Sequence, residues 1–83
     1  MPHPITMYGK TRCDDTDRSR AHLRKMGVPF REVNIDHDTD AERFVIFVND
    51  GNRATPTIVI GGGNRRLVLT EPTNEELEEA VRR

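Results

Sequence analysis

Thr55-Pro56-Thr57-Ile58-Val59-Ile60 sets a Thr-Pro pair at the mouth of a short apolar run. Far upstream, the chain's only cysteine, Cys13, follows another apolar run, Ile5-Thr6-Met7-Tyr8. Gly9 breaks that run, and Lys10-Thr11-Arg12-Cys13 reads as a turn into a polar stretch of helical character. A thiol at a strand-to-helix turn, faced by a Thr-Pro turn that opens a second strand, points to thiol–disulfide chemistry. One cysteine is enough for such chemistry if the partner thiol comes from another molecule.

Working outward, Asp14 to Met26 is helical but weakly amphipathic, with Thr16, Ser19 or Arg20, Leu23 and Met26 on one face. Asp14, Asp15 and Asp17 in the first turn and Arg24 and Lys25 in the last suit the helix dipole. Asp14 and Arg18 are spaced for an i,i+4 ion pair, and Gly27 with Pro29 ends the helix. Phe30 to Ile35 alternates as a strand. Thr39-Asp40-Ala41-Glu42 reads as a capping box, opening a helix with Ala41, Phe44, Val45 and Val48 on one face. Phe44 to Val48 also fits a strand on propensity alone, but the capping signature and the Asn49-Asp50-Gly51-Asn52 stop favour helix. Thr57 to Ile60 is a strand, Gly61-Gly62-Gly63-Asn64 a turn, and Arg66 to Thr70 the return strand of a hairpin. Thr73-Asn74-Glu75-Glu76 is a second capping box, and Leu77, Ala80 and Val81 stripe the last helix. The order is β-α-β-α-β-β-α in one domain, 1–83. Its first two strands are parallel through a right-handed crossover, and the hairpin is expected to add two strands antiparallel to them.

Thirteen Lys and Arg against fourteen Asp and Glu leave a net charge of -1, which gives no global attraction to nucleic acid or anionic membrane. No segment approaches the ~20 apolar residues of a membrane span. A single cysteine excludes an internal disulfide, and Met1-Pro2-His3-Pro4 lacks the features of a signal peptide, so a cytoplasmic, monomeric protein is expected. His3, His22 and His37 show no metal-ligand spacing, so no metal is expected, and all three are expected at the surface.

The element order, with Cys13 after the first strand and Thr55-Pro56 before the third, resembles a glutaredoxin of the thioredoxin superfamily. Met7-Tyr8-Gly9-Lys10-Thr11-Arg12-Cys13 is similar to the family's approach to its active site. Gly51-Asn52-Arg53-Ala54-Thr55-Pro56-Thr57 and Val68-Leu69-Thr70-Glu71-Pro72-Thr73 resemble in particular the actinobacterial mycoredoxin branch. The resemblance implies an α/β thioredoxin-like fold, a four-stranded mixed sheet flanked by three helices. It also implies a thiol–disulfide oxidoreductase acting on S-thiolated proteins. Its co-substrate would be a low-molecular-weight thiol, glutathione or mycothiol, with no tightly bound cofactor. The chain departs from the family's usual Cys-x-x-Cys: it carries Cys13-Asp14-Asp15-Thr16, so the implied chemistry is that of monothiol members. By the same resemblance Pro56 is cis and turns the backbone of Thr55 towards the sulfur. Gly62 and Gly63 would then hold the small thiol's carboxylate, with Lys10 and Arg53 as further carboxylate partners.

Exchange requires a thiolate, which a helix N-terminus favours through its unpaired N–H groups and dipole. Lys10 and Arg12 add positive charge if they turn inward, Thr16 places a hydroxyl one turn from the sulfur, and Asp14 and Asp15 oppose ionisation. The expected balance is a modestly lowered pKa for Cys13. Simpler readings stand beside these. Gly61-Gly62-Gly63 is also an ordinary hairpin turn, Lys10 and Arg12 are also candidates for plain solvated charges, and the aspartates complement the dipole. The acids beside Cys13 and the missing second cysteine also suit a catalytically weak or inactive thioredoxin-fold binding module. A less favoured alternative is an iron–sulfur cluster bridged between two chains by Cys13 and small thiols.

Overall fold

In the computed structural model, which describes residues 3–83, alternate side chains of the first strand feed two separate cores. Met1 and Pro2 of the N-terminal reading lie outside the described residues. On β1 (Ile5–Gly9), Ile5 and Met7 pack with Leu23, Ile58, Ile60, Leu77 and Ala80. Tyr8 points the other way, towards Ile35, Ala41 and Val45. This period of two fixes the layers. Helices α1 (Asp14–Met26) and α3 (Asn74–Val81) cover one face, and α2 (Thr39–Val48) covers the other. Among the described residues no helix is long and apolar enough to cross a membrane.

The sheet runs β2 (Arg31–Asn34), β1, β3 (Thr57–Ile60), β4 (Leu67–Thr70). β1 is parallel to β2, with Met7 opposite Glu32, and antiparallel to β3, with Met7 opposite Ile58. β4 is antiparallel to β3, with Ile58 opposite Leu69. The β-α-β-α-β-β-α order and the mixed four-stranded sheet are those read from the sequence. The direction of the last strand is a correction. The two strands of a hairpin oppose each other, so only β3 opposes β1, and β4 runs with it. The ends of β1 and β4 and the start of β3 therefore share one end of the sheet. The triglycine turn falls at the other end, where the Gly61 N–H donates to the Pro4 carbonyl at 2.8 Å.

Helix ends follow local chemistry. Gly27 caps α1 in the left-handed region, φ 71, with its N–H directed at the Leu23 and Arg24 carbonyls. Thr73 and Glu76 form the predicted capping box of α3. The cap of α2 lies one residue earlier than predicted. Asp38 accepts from the Ala41 N–H at 3.0 Å, which makes Thr39 the first helical residue. Arg18 pairs with Asp15 at 2.9 Å rather than with Asp14, and Arg20 reaches Glu32 on β2 at 2.6 Å. His3 and His37 are exposed, but His22 is enclosed between α1 and α3, its Nε2 3.2 Å from a Glu78 carboxylate oxygen.

One glycine governs how closely α1 approaches β1. A Cβ built on Gly9 would stand 2.4 Å from Cγ2 of Thr16, which is fully buried. Gly9→Ala is therefore expected to destabilise the fold by roughly 1–3 kcal/mol in urea unfolding. The double variant Gly9→Ala, Thr16→Ser removes the offending methyl and should recover most of that loss. Additive losses would show that the contact is not the cause.

Candidate active site

Cys13 is the N-cap residue of α1, with extended backbone (φ -114, ψ 112) and its carbonyl accepting from the Asp17 N–H at 2.9 Å. The cap position directs a side chain at the unpaired N–H groups of the next residues. Ser, Thr or Asp usually fills it with an oxygen acceptor. Here it holds a sulfur, which makes no cap hydrogen bond as a neutral thiol. Arg12 delivers it there through a left-handed backbone conformation, φ 58, that side-chain-bearing residues seldom adopt.

Across the site the Thr55–Pro56 peptide bond is cis, and Thr55 and Pro56 are buried. The Thr55 hydroxyl oxygen lies 3.4 Å from Cys13 Sγ, and the thiol donates to the Thr55 carbonyl at 3.8 Å. Partial burial pushes the thiol pKa up and is the largest single influence. Together, the Thr16 and Thr55 hydroxyls and the Thr16 and Asp15 backbone N–H groups outweigh it, so the pKa lies below the ordinary thiol value. Thr16 Oγ1 is buried with no partner in hydrogen-bonding geometry in the resting state. Its hydroxyl is thus unspent and can turn to donate once the sulfur is negative.

Half-buried Cys13 opens onto a cleft of about 570 Å³, lined also by Lys10, Asp15, Asn49, Asn52, Arg53, Thr55, Thr70 and Glu71. That size suits a small molecule. Two polar networks hold its walls. Asp36 accepts from the Thr11 N–H at 3.1 Å and from Arg53 at 2.6 Å, and Arg53 also grips Glu42 at 2.6 Å. Asn49 donates to the Val45 carbonyl at 2.8 Å and to Thr57 Oγ1 at 3.0 Å, and accepts from the Thr70 hydroxyl at 2.5 Å. The Glu71 N–H donates to the Pro56 carbonyl at 2.8 Å. These bonds tie the turn before Cys13, the loop before Pro56 and the end of β4 to one frame.

A profile of the glutaredoxin family matches residues 5–64. The chain belongs to the glutaredoxin family. A Mycobacterium tuberculosis protein whose name places it among glutaredoxins is 32% identical over 74 residues, 89% of this chain and 84% of that protein. N-acetyl-S-hydroxy-L-cysteine reductase of Bacillus subtilis is 27% identical over 77 residues, 93% of this chain and 82% of the reductase. A crystal structure of a glutaredoxin from Archaeoglobus fulgidus superposes with a TM-score of 0.71 at 25% identity, covering 100% of this chain and 89% of the other.

Of the residues singled out in the sequence, Cys13, Lys10, Thr16, Arg53, Thr55 and Pro56 meet at this end of the glutaredoxin sheet. Three expectations need correction. Gly62 and Gly63 are exposed and do not line the cleft, because they follow β3 at the end of the sheet remote from Cys13. Arg12 is exposed and outside the cleft lining. The charges of Lys10, Arg12 and Asp14 are not among the principal influences on the thiol, which is set by burial, hydroxyls and amides. Arg53 reaches the cleft, but two carboxylates already neutralise it. Asn49, Asp36 and Glu71 were missed. Asn49 was read only as a helix stop, and Glu71, in the left-handed region at φ 46, carries no glycine to mark its turn.

Thr16→Val keeps the shape of the side chain and deletes the hydroxyl. The thiol titration, followed by ultraviolet thiolate absorbance, should move up towards the ordinary value, and alkylation at neutral pH should slow several-fold. An unchanged titration would remove Thr16 from the account. A second prediction concerns acid. Arg53, with help from the Thr11 N–H, holds the Asp36 carboxyl below its usual range. The latch is thus complete above the unfolded carboxyl's pKa and is lost as pH falls through the folded one. The Thr11 amide resonance should report that midpoint below the ordinary aspartate range, and Arg53→Gln should move it up towards that range.

Proposed function

We propose that the protein is a monothiol thiol–disulfide oxidoreductase that removes a low-molecular-weight thiol from S-thiolated proteins. The single observation that carries this reading is Cys13 at a helix N-cap, half-buried against Thr55 and opening onto a cleft of small-molecule size. The thiolate of Cys13 attacks the small-thiol sulfur of a protein mixed disulfide. A Cys13–small-thiol disulfide forms, the protein sulfur leaves as a thiolate and takes a proton from solvent. A second small thiol, ionised, attacks that disulfide, releasing the symmetrical small-molecule disulfide and restoring the Cys13 thiolate. No second cysteine is needed, and the chain has none. Thr55, which lies beside the sulfur, offers backbone groups to an extended substrate segment.

The cleft's charges bear on which thiol it takes. Glutathione brings two carboxylates. Arg53 is committed to Asp36 and Glu42, Asp15 and Glu71 add negative charge to the lining, and Lys10 enters no ion pair among the described residues. Asp15 is itself paired with Arg18, so among the described residues the unpaired charges of the lining are one cation, Lys10, and one acid, Glu71. That balance offers no net attraction to a thiol bearing two carboxylates and suits an uncharged one. Mycothiol, a neutral pseudodisaccharide on an N-acetylated cysteine, meets that requirement. The Bacillus relative is likewise named for an N-acetylated cysteine. A reducing, cytoplasmic setting fits this chemistry.

The test is turnover of a model protein carrying a mixed disulfide with mycothiol or with glutathione, each with its own thiol as reductant. Wild type should act on both, with the higher kcat/KM for mycothiol, and Cys13→Ser should fall to background. Equal rates for wild type and Cys13→Ser would refute the exchange reaction and leave the inactive binding module as the better description. A preference for glutathione would refute only the thiol assignment.

A further inference from the structure

The end of the sheet remote from Cys13 holds a second cavity. Its floor is Ile60 at the end of β3, Leu67 at the start of β4 and Ala80 of α3, and His3, Arg65 and Arg83 stand around it. At about 280 Å³ it lies at the lower edge of the usual ~300–1,000 Å³ of small-ligand pockets and has room for one large apolar side chain. The residues lining it carry positive charge and no acid. Arg65 is exposed and enters no ion pair among the described residues. Arg83 holds Glu79 at 3.1 Å from an exposed position, where such a pair contributes little and exchanges readily. Beside the cavity, β4 pairs only with β3, so its outer N–H and C=O groups face away from the sheet as an open edge.

We propose that this end of the molecule docks an extended, acidic segment of a partner protein. The segment lies along β4 as a fifth strand. One aliphatic or aromatic side chain drops into the cavity over Ile60, Leu67 and Ala80, and flanking carboxylates meet Arg65 and Arg83. Backbone pairing supplies affinity, the cavity fixes register, and the arginines select for acid. The cavity that anchors the segment is at the opposite end of the sheet from Cys13, and only the far end of β4, at Thr70, reaches the rim of the thiol cleft. The proposal stands apart from the redox reading.

The experiment is an amide magnetic-resonance titration of the full chain with an acetylated, amidated hexapeptide, Glu-Leu-Asp-Val-Asp-Glu. A second peptide carries lysine at the four acidic positions. The acidic peptide should give saturable shifts at Ile60, Arg65, Leu67 and Ala80 and none at Cys13 or Thr55, weakening as salt rises. Arg65→Glu should weaken binding by about tenfold while leaving the remaining spectrum in place. If that variant loses its fold, Arg83→Gln serves in its stead, with a smaller loss expected. The proposal is overturned by any of four results: no saturable shift, an equal response to the lysine peptide, shifts centred on the Cys13 cleft, or unchanged affinity in the arginine variants. Shifts at the same residues on concentrating the protein alone would also overturn it, since a second copy would then be the occupant.

Discussion

Placing a sulfur at the first turn of a helix, half out of water, penalises the anion that its chemistry requires. Hydrogen bonds must offset that penalty, and most of the architecture near Cys13 serves to supply them. Two backbone amides come with the helix start itself. The two hydroxyls come from different directions, Thr16 from within α1 and Thr55 from across the sheet. Both demand close packing. Gly9 admits the Thr16 side chain at a distance no other residue would allow, and the turn before β3 presents Thr55 to the sulfur. The site is thus tuned mainly by short-range donors, which salt does not screen, rather than by the lysine and arginines nearby.

The surrounding charges do different work. Arg53 faces the cleft, but its guanidinium fastens Asp36 to Glu42, and Asp36 in turn holds the Thr11 backbone. A cation that the sequence offers to a ligand is used to hold loops together. Asn49 does the same with neutral groups, bridging the end of α2, the start of β3 and the end of β4. Because three loops from three parts of the chain converge on one cleft, cross-links of this kind set its width. The proposed discrimination against an anionic thiol follows, since Arg53 has little charge left to offer.

How much was legible in the sequence depended on the range of the determining contact. α1, its glycine stop and the α3 capping box rest on local patterns and stand where the residues place them. All four strands exist as read, but Gly9 lies inside β1 rather than ending it, β2 lacks Phe30 and Ile35, and β4 starts at Leu67 rather than Arg66. The cap of α2 moved by one because Asp38 and Thr39 are adjacent capping residues, and only the observed bond from Ala41 separates them. Cys13 and Thr55-Pro56 were recognisable through the family resemblance, and they meet because β3 opposes β1, which brings the start of one to the end of the other. Gly62 and Gly63 were misplaced because glycine marks a turn without saying which end of the sheet it occupies. That depends on the direction of β3, a tertiary fact. Glu71 and Arg12 hold left-handed conformations with no glycine to announce them, and Asn49 acts through partners 8 and 21 residues away.

The central claim is that the folded environment makes Cys13 ionise more readily than a free thiol. The pH dependence of its alkylation by iodoacetamide, in the native protein and in the same protein unfolded in urea, tests it most directly. The account predicts a native midpoint clearly below the unfolded one, with the native thiol already reactive near neutral pH. A native midpoint equal to or above the unfolded one would mean that burial outweighs the donors, and the account would be wrong.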